Sequence, residues 1–285
     1  MLPILLVLLE LSAHQAALSA YKQHNYPEAV AQFTEALKTE QLGSTEYEES
    51  VLLLGQSLFL ESKYTDAIPW LEKSVTGKTP TPEAAYMLGN ACILTQQNDK
   101  AVKAFAQLFK VSPDSAAAHL ITGRMLLHHD VDLDAAKQAK QALEIDPKIP
   151  EAHFLLGEVA ILHAQIDDAI SELKKEIDIN PGYAMAHYRL GDAYSRVEKW
   201  DEAMAPLERS VWLNPNYSGP FILLGKGYLK RGELANADGV LRHALLLDPQ
   251  NRSAHYLLGQ TLMQLGKPDE AKKEMDRWKE LKGDN

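Results

Sequence analysis

Apolar residues along most of this chain lie in runs of helical length, separated by short polar breaks. One run extends from Pro150 to His163, and a second extends from Asp167 to Ile179. Each run carries an apolar stripe, so the pattern predicts two helices that bury one face each. Acidic residues begin the second run, where they suit the positive end of the helix dipole. An Asn-Pro pair at 180–181 ends that run, because the residue before proline avoids the helical conformation.

This pair of runs recurs at a fixed period. Seven glycines stand 34 residues apart, and an alanine follows each of them after twelve residues. The glycines are Gly55, Gly89, Gly123, Gly157, Gly191, Gly225 and Gly259, and the first and last of the alanines are Ala67 and Ala271. Small residues at these places let two helices approach closely, so a large residue at Gly157 or Ala169 should overpack the pair. One pair cannot bury its stripe alone, whereas stacked pairs can.

Helix pairs of 34 residues with this glycine, alanine and proline spacing resemble the tetratricopeptide repeat. The resemblance covers residues 10–285 as eight repeats, near 10–43, 48–81, 82–115, 116–149, 150–183, 184–217, 218–251 and 252–285. It implies an all-α fold, an α-solenoid of tandem helix-turn-helix repeats that form a superhelix with a concave groove. The sequences of the repeats resemble those of bacterial members of the family more than those of eukaryotic co-chaperones.

Bulk composition narrows the possible partners. The net charge of −10 argues against a nucleic-acid partner, because phosphate binding needs a basic surface. The single cysteine, Cys92, excludes an internal disulfide and a cysteine zinc site, which fits the cytosol and does not exclude a periplasm. Residues 1–9 are apolar but too few to span a membrane. They are interpreted as a signal remnant or a helix extension, and membrane contact is expected only through them.

Those interpretations leave the localisation open. The chain is expected to be cytoplasmic or, if residues 1–16 act as an export signal, periplasmic or secreted.

Catalytic signatures are missing from the sequence. It contains no GxxxxGK[ST] phosphate loop, GxSxG, HExxH or GxGxxG pattern. A histidine does recur four residues before the repeat glycine, as His119, His153, His187 and His255. Packed helices lie about 8–10 Å apart, whereas zinc–nitrogen bonds are about 2.0–2.1 Å long. The sequence therefore predicts a chain that is not an enzyme, has no cofactor or metal, and uses these histidines for packing and hydrogen bonds.

A partner protein is expected on the first helix of each repeat. The positions three before, one after, and four and five after the repeat glycine are expected to line the groove. They are mostly apolar in the early repeats and polar or charged in the late ones. The candidate partner-binding residues are Tyr86, Asn90, Arg124, Phe154, Glu158, Tyr188, Arg189, Asp192, Arg196, Lys226, Lys230, Tyr256 and Gln260.

Four of these candidates are expected to form a basic patch: Arg189, Arg196, Lys226 and Lys230. Some family members bind carboxyl termini through a clamp of lysine, asparagine and arginine. Asn90 matches the asparagine of that clamp, but Tyr86 stands where its lysine is expected, so this specificity is not carried over.

The leading interpretation is a non-catalytic scaffold or adaptor that binds a peptide or helix of a partner in the groove. The early groove would hold an apolar peptide or helix, and the late groove acidic groups or a terminal carboxylate. The alternative is a structural or assembly subunit of a larger complex, for example in an envelope or secretion system, that self-associates through its ends.

Two second helices depart from the pattern. In the fourth repeat, Ala139 stands where others carry Phe105 or Leu173, so thin packing and fast amide exchange are expected around 132–145. That repeat also lacks a glycine between its helices. The last helix keeps Trp278 and few other apolar residues, and it is expected to cap the array.

Overall fold

The structure is a computed structural model that describes residues 12–281. The apolar segment 1–9 and its two interpretations therefore lie outside the described residues. Within that range the chain forms sixteen α-helices and no strand, which confirms the all-α prediction. Consecutive described helices pack as eight pairs. None of the described helices combines the length and hydropathy that crossing a bilayer requires.

The chain divides into two compact units, Met1–Ile145 and Asp146–Asn285. In the first unit the described helices are α1 (Ala13–Lys22), α2 (Tyr26–Ala36), α3 (Thr45–Leu60), α4 (Tyr64–Thr76), α5 (Pro82–Leu94), α6 (Asn98–Phe109), α7 (Ala116–His128) and α8 (Asp132–Ile145). In the second unit they are α9 (Ala152–Leu162), α10 (Ile166–Ile179), α11 (Ala184–Arg196), α12 (Trp200–Leu213), α13 (Ser218–Lys230), α14 (Leu234–Leu247), α15 (Arg252–Gln264) and α16 (Pro268–Glu280).

Local chemistry sets where several helices begin. Helix α15 starts after Asn251, whose side chain accepts the N–H of Ala254 and so satisfies one free donor of the first turn. Helix α9 begins two residues later than Pro150, its predicted start. The reason is Glu151, which adopts a left-handed conformation (φ 71°) and donates its N–H to the buried carboxylate of Glu176.

In the seven pairs that carry a repeat glycine, the turn between the helices contains one residue in the left-handed region, seven positions after that glycine. Only Gly232 and Gly266 are glycines at this place. The other repeats in this register use Ser62, Gln96, Asp130, Ala164 and Glu198. The missing glycine therefore does not set the fourth repeat apart, because four other repeats make the same turn without one.

The repeat glycine lies directly against the second helix of its own pair. A Cβ atom added at Gly225 would lie 2.4 Å from Leu241 Cγ, far closer than van der Waals contact. The same relation joins Gly191 to Leu207, with a distance of 2.5 Å. Each glycine thus faces the residue sixteen positions later, whose side chain fills the space that a Cβ would take. This is the close approach that the glycine spacing predicts.

The fourth repeat fills this contact differently. By the same register Gly123 faces Ala139, which is fully buried. The buried residues of α8 are three alanines and Gln138, with no large apolar side chain among them. The boundary between the two compact units falls directly after this helix. The predicted fast exchange of residues 132–145 stays a prediction.

Several successive first helices contact one another directly. In the first unit α1 contacts α3, and α3 contacts α5. In the second unit α9 contacts α11, α11 contacts α13, and α13 contacts α15. Second helices α10, α12 and α14 instead pack between their own first helix and the next one along the chain. The first helices of the second unit therefore form a continuous row, which carries ten of the thirteen candidate residues.

Candidate functional site

Each of the four recurring histidines makes a hydrogen bond, three of them to the second helix of their own repeat and His187 to the loop before its first helix. His153 Nδ1 lies 2.6 Å from Glu172 Oε2, and His255 Nδ1 lies 2.6 Å from Glu274 Oε2. His119 contacts Gln138 in the same way, at 2.7 Å. His187 donates through Nε2 to the carbonyl oxygen of Pro181, at 3.1 Å. The predicted role in packing and hydrogen bonding is confirmed, because these contacts join the first helix to its own second helix or preceding loop.

Metal ligation was the competing interpretation of these histidines. Among residues 12–281, no three His, Cys, Asp or Glu side chains form a group that could hold a metal ion.

We call the candidate positions on the first helices the first-helix face, defined as three before, one after, and four and five after the repeat glycine. In the first unit its polar members bond within the chain. Asn90 is buried, donates its amide to the carbonyl of Tyr86 at 2.8 Å, and bonds His129 Nε2 through its amide oxygen. Gln56 accepts the Tyr21 hydroxyl at 2.8 Å. The amide of Asn90 is therefore already engaged inside the molecule.

The exposed part of this face in the first unit is mainly apolar. Tyr86, Leu94 and Leu60 have 46%, 43% and 42% of their surface exposed. Arg124 is an exposed cation on the same face, on helix α7. The apolar character expected of the early repeats is therefore present at the surface.

In the second unit, two cations of the predicted basic patch are already paired. Arg189 Nη2 on α11 lies 3.0 Å from Glu158 Oε1 on α9. Arg196 Nε lies 3.1 Å from Asp192 Oδ2, one turn earlier on α11. These pairs place a carboxylate beside each arginine, so four of the candidate residues largely neutralise one another.

Two aromatic candidates of the same region are packed inward. Phe154 is buried, with its ring centroid 5.0 Å from that of Tyr183. Tyr188 meets Tyr217 edge to face at 5.2 Å. Burial, together with the neighbouring Tyr217, raises the pKa of Tyr188 to about 12. These rings serve the packing of α9 and α11 rather than an open surface.

Helices α13 and α15 differ from the first helices α9 and α11, which carry Glu158 and Asp192. By contrast, α13 and α15 contain no aspartate or glutamate, and they carry Lys226, Lys230 and Arg252. None of these three cations makes an ion pair among the described residues. The Lys226 ammonium lies 5.3 Å from the Trp200 ring centroid, and the Arg252 guanidinium lies 4.9 Å from that of Trp278. The uncompensated positive charge therefore lies on α13 and α15, and Arg252 was not among the candidates.

The first unit has a cavity of about 410 Å³, and the second unit has one of about 560 Å³. The cavity of the second unit lies beside these cations. Its lining residues are Ile222, Leu223, Lys226, Arg252, Ser253, Tyr256, Leu257 and Trp278. We call this cavity the α13–α16 pocket. Two candidates, Lys226 and Tyr256, line it. Tyr256 and Trp278 form an aromatic wall with ring centroids 5.1 Å apart, and Gln260 donates to the Tyr256 hydroxyl at 2.9 Å.

Comparison with known proteins gives matches at the level of family and fold. Tetratricopeptide repeat models match residues 86–136, 133–184 and 228–285, together more than half of the chain. A model described as anaphase-promoting complex, cyclosome, subunit 3 matches residues 22–108. No curated protein matches the chain significantly.

Three solved structures illustrate the likeness. MamA is 26% identical, with a TM-score of 0.52 over 56% of this chain and 93% of MamA. YrrB, described as a TPR protein with an unusual peptide-binding site, is 21% identical, with a TM-score of 0.56 over 65% of this chain and 95% of YrrB. A chain of the APC/C hetero-tetramer Cut9–Hcn1 is 18% identical, with a TM-score of 0.53 over 88% of this chain and 48% of that one. The last two show the fold alone.

Proposed function

Because the chain belongs to the tetratricopeptide repeat family, whose members present binding surfaces to other proteins, we propose that it is a non-catalytic scaffold for an acidic partner segment. The segment would bind across the first helices α13 and α15 of the second unit. The observation that carries this proposal is the group of three unpaired cations on two neighbouring helices without a carboxylate. The peptide-binding site in the description of YrrB supports peptide recognition on this fold.

Charge complementarity favours an acidic partner. The whole chain has a net charge of −10, so a positive surface is a local exception. Lys226 and Lys230 stand one turn apart on α13, and Arg252 begins the adjacent α15. Positive charge concentrated in this way attracts an acidic segment during encounter and disfavours basic ones.

Charge alone does not supply enough affinity. Exposed ion pairs contribute about 0.2–1 kcal/mol each, so three of them give at most about 3 kcal/mol. A dissociation constant of 1 μM corresponds to about 8 kcal/mol. Burying about 150 Å² of an apolar side chain adds about 4 kcal/mol. The apolar floor beside the cations, formed by Ile222, Leu223 and Leu257, supports such a contribution.

A display selection tests the proposal. Short random peptides on phage would be selected against the full chain, against Lys226→Glu/Lys230→Glu, and against Lys272→Glu/Lys273→Glu. The last variant makes the same charge change on α16, at exposed residues that do not line the α13–α16 pocket. We expect the wild-type chain and the control to enrich acidic peptides and the first variant to lose them.

Equal enrichment by all three chains would contradict the proposal and move recognition away from α13. The leading hypotheses would then be recognition by the apolar face of the first unit and the assembly-subunit alternative. Sedimentation of the chain with and without residues 1–11 tests the latter. The truncation ends before α1, so it keeps the contacts of His14 on α1 with Ser50 and Glu40.

A further inference from the structure

In the second unit, the second helices before α16 carry a buried side chain nineteen residues after the repeat glycine. In α10 this residue is Glu176, which accepts the N–H groups of Glu151 and Phe154. In α12 it is Ser210, which donates to the carbonyl of Ala184, and in α14 it is the fully buried Ala244. In α16 the place is taken by Trp278, which is only partly buried. A large ring thus stands where the other repeats of the second unit close the start of their first helix.

We infer that the α13–α16 pocket is an anchor site for one large apolar side chain of an acidic partner segment, whose carboxylates pair with Lys226 and Arg252. This inference rests on the proposed function and specifies the ligand of that surface. Trp278 makes the pocket specific to the last repeat, because a small side chain at this position would not form the wall.

The residues that line the pocket explain why an apolar side chain would bind there. Leu223 and Leu257 form part of the floor, and the rings of Tyr256 and Trp278 form a wall beside it. The volume of about 560 Å³ lies within the usual range of ligand pockets, about 300–1,000 Å³. The Tyr256 hydroxyl already accepts a hydrogen bond from Gln260, so Tyr256 offers mainly its ring to a ligand.

The charges exclude a cationic occupant. Two tilted aromatic rings would otherwise suit an ammonium group, which binds over ring faces. Here Lys226 lines the same pocket, and the Arg252 guanidinium already lies over the Trp278 ring, at 4.9 Å from its centroid. A cationic ligand would meet like charge on both sides, whereas an anionic one gains a partner on both sides.

The spread of the cations favours side-chain carboxylates over a single terminal carboxylate. Lys226 and Lys230 are four residues apart, which separates them by about 6 Å along α13. Arg252 lies on a different helix, and the uncharged polar side-chain groups among the described lining residues are the Ser253 hydroxyl, the Tyr256 hydroxyl and the Trp278 indole N–H. A single carboxylate is bound best by convergent donors. Cations distributed over two helices fit a segment with several acidic residues around the anchor.

Random peptides on phage would be selected against the wild-type full chain, Trp278→Ala, Trp278→Phe and Trp212→Ala. Peptides enriched by the wild type would then be synthesised and their affinity measured for each variant. Trp278→Ala introduces the residue that Ala244 supplies at the same place in α14, so the helix pair is expected to fold. Trp212 is an exposed tryptophan on the second helix α12 and serves as the matched control.

We expect wild-type peptides to combine acidic residues with a large apolar one, and to bind Trp278→Ala about 30-fold more weakly. Trp278→Phe should recover most of this loss, and Trp212→Ala should behave as the wild type. If Trp278→Ala selects the same peptides with unchanged affinity, the anchor inference fails while the scaffold proposal stands. If the wild type enriches no acidic peptides, both fail.

Discussion

The first-helix faces of the two units follow the same repeat register but differ in how their polar side chains are used. In the first unit Gln56 and Asn90 bond to Tyr21 and His129 of the same chain, and the exposed remainder is mainly apolar. In the second unit the first helices carry charged side chains, which are paired on α9 and α11 but unpaired on α13 and α15. A residue's place in the repeat therefore does not decide whether it is available to a partner.

This difference shows that intramolecular partners select the binding residues. A buried polar group left without a partner costs about 1–3 kcal/mol, so packed repeats tend to satisfy their own amides and hydroxyls. Exposed cations carry no such penalty and remain available for a ligand. The end of the second unit combines available cations with an open apolar pocket, which no described part of the first unit does to the same degree.

The largest expected effect separates paired from unpaired cations. Lys226→Gln/Lys230→Gln should weaken binding of a selected acidic peptide by about 30-fold, because both charges face solvent without a carboxylate. Arg189→Gln/Arg196→Gln removes the same number of charges but from existing ion pairs, and should weaken binding by about threefold or less. Titration calorimetry of the same peptide with both variants measures the difference. Equal losses would mean that α11 contributes to the ligand site as much as α13 does.

Glycine replacements test the packing difference between the units. Gly225→Ala gains about 1 kcal/mol of helix propensity but forces Leu241 aside, which costs about 1–3 kcal/mol. Gly123→Ala should be neutral or slightly stabilising, because Ala139 leaves more room at the facing position. Urea unfolding measures the free energy of unfolding of both variants. A larger loss for Gly123→Ala than for Gly225→Ala would overturn the register that pairs each glycine with the residue sixteen positions later.

Amide exchange compares the two kinds of second helix directly. Helix α8 buries only alanines and Gln138, whereas α12 buries Met204 and Leu207. We expect the amides of residues 132–145 to exchange about tenfold faster than those of α12, since local opening exposes less apolar surface. Hydrogen exchange followed by mass spectrometry resolves the two helices. Uniform protection across them would show that large apolar side chains are not needed here.

The fold could be predicted from sequence because its determinants are local and repeated. The glycine of one helix and the residue sixteen positions later, as in Gly191 and Leu207, belong to the same repeat and recur with the period. A helix start such as that of α9 was predicted less well. It depends on Glu176, a residue twenty-five positions away that binds the Glu151 N–H.

The candidate site could be predicted only in part, because availability depends on contacts between repeats. Lys226, Lys230 and Tyr256 lie where the repeat register places them. The pairing of Arg189 with Glu158 joins side chains 31 positions apart, and periodicity alone does not reveal it. Arg252 and Trp278 lie outside the positions considered, one at the first residue of its helix and one on a second helix. The lack of acidic residues on α13 and α15 was visible in the sequence and could have pointed to Arg252.

The smallest expected effect concerns pH and again compares equivalent positions in two repeats. Burial lowers the pKa of His187 below its ordinary value of 6.5, although the hydrogen bond to Pro181 opposes this shift. Between the lowered pKa and 6.5 the unfolded chain binds more protons at this residue than the folded chain. This contribution to stability is therefore present above pH 6.5 and is lost as the pH falls through that window.

His187→Phe should reduce this pH dependence, since phenylalanine does not titrate and Phe221 already occupies the same place in the next repeat. The measurement is the free energy of unfolding at about pH 7.5 and about pH 5.5 for both chains. Other titrating groups contribute equally to both, so the difference between the two losses isolates His187. The absolute stability should fall at both pH values, because the bond to the Pro181 carbonyl is gone. An unchanged pH loss in the variant would mean that the folded chain accepts the His187 proton as readily as the unfolded chain does.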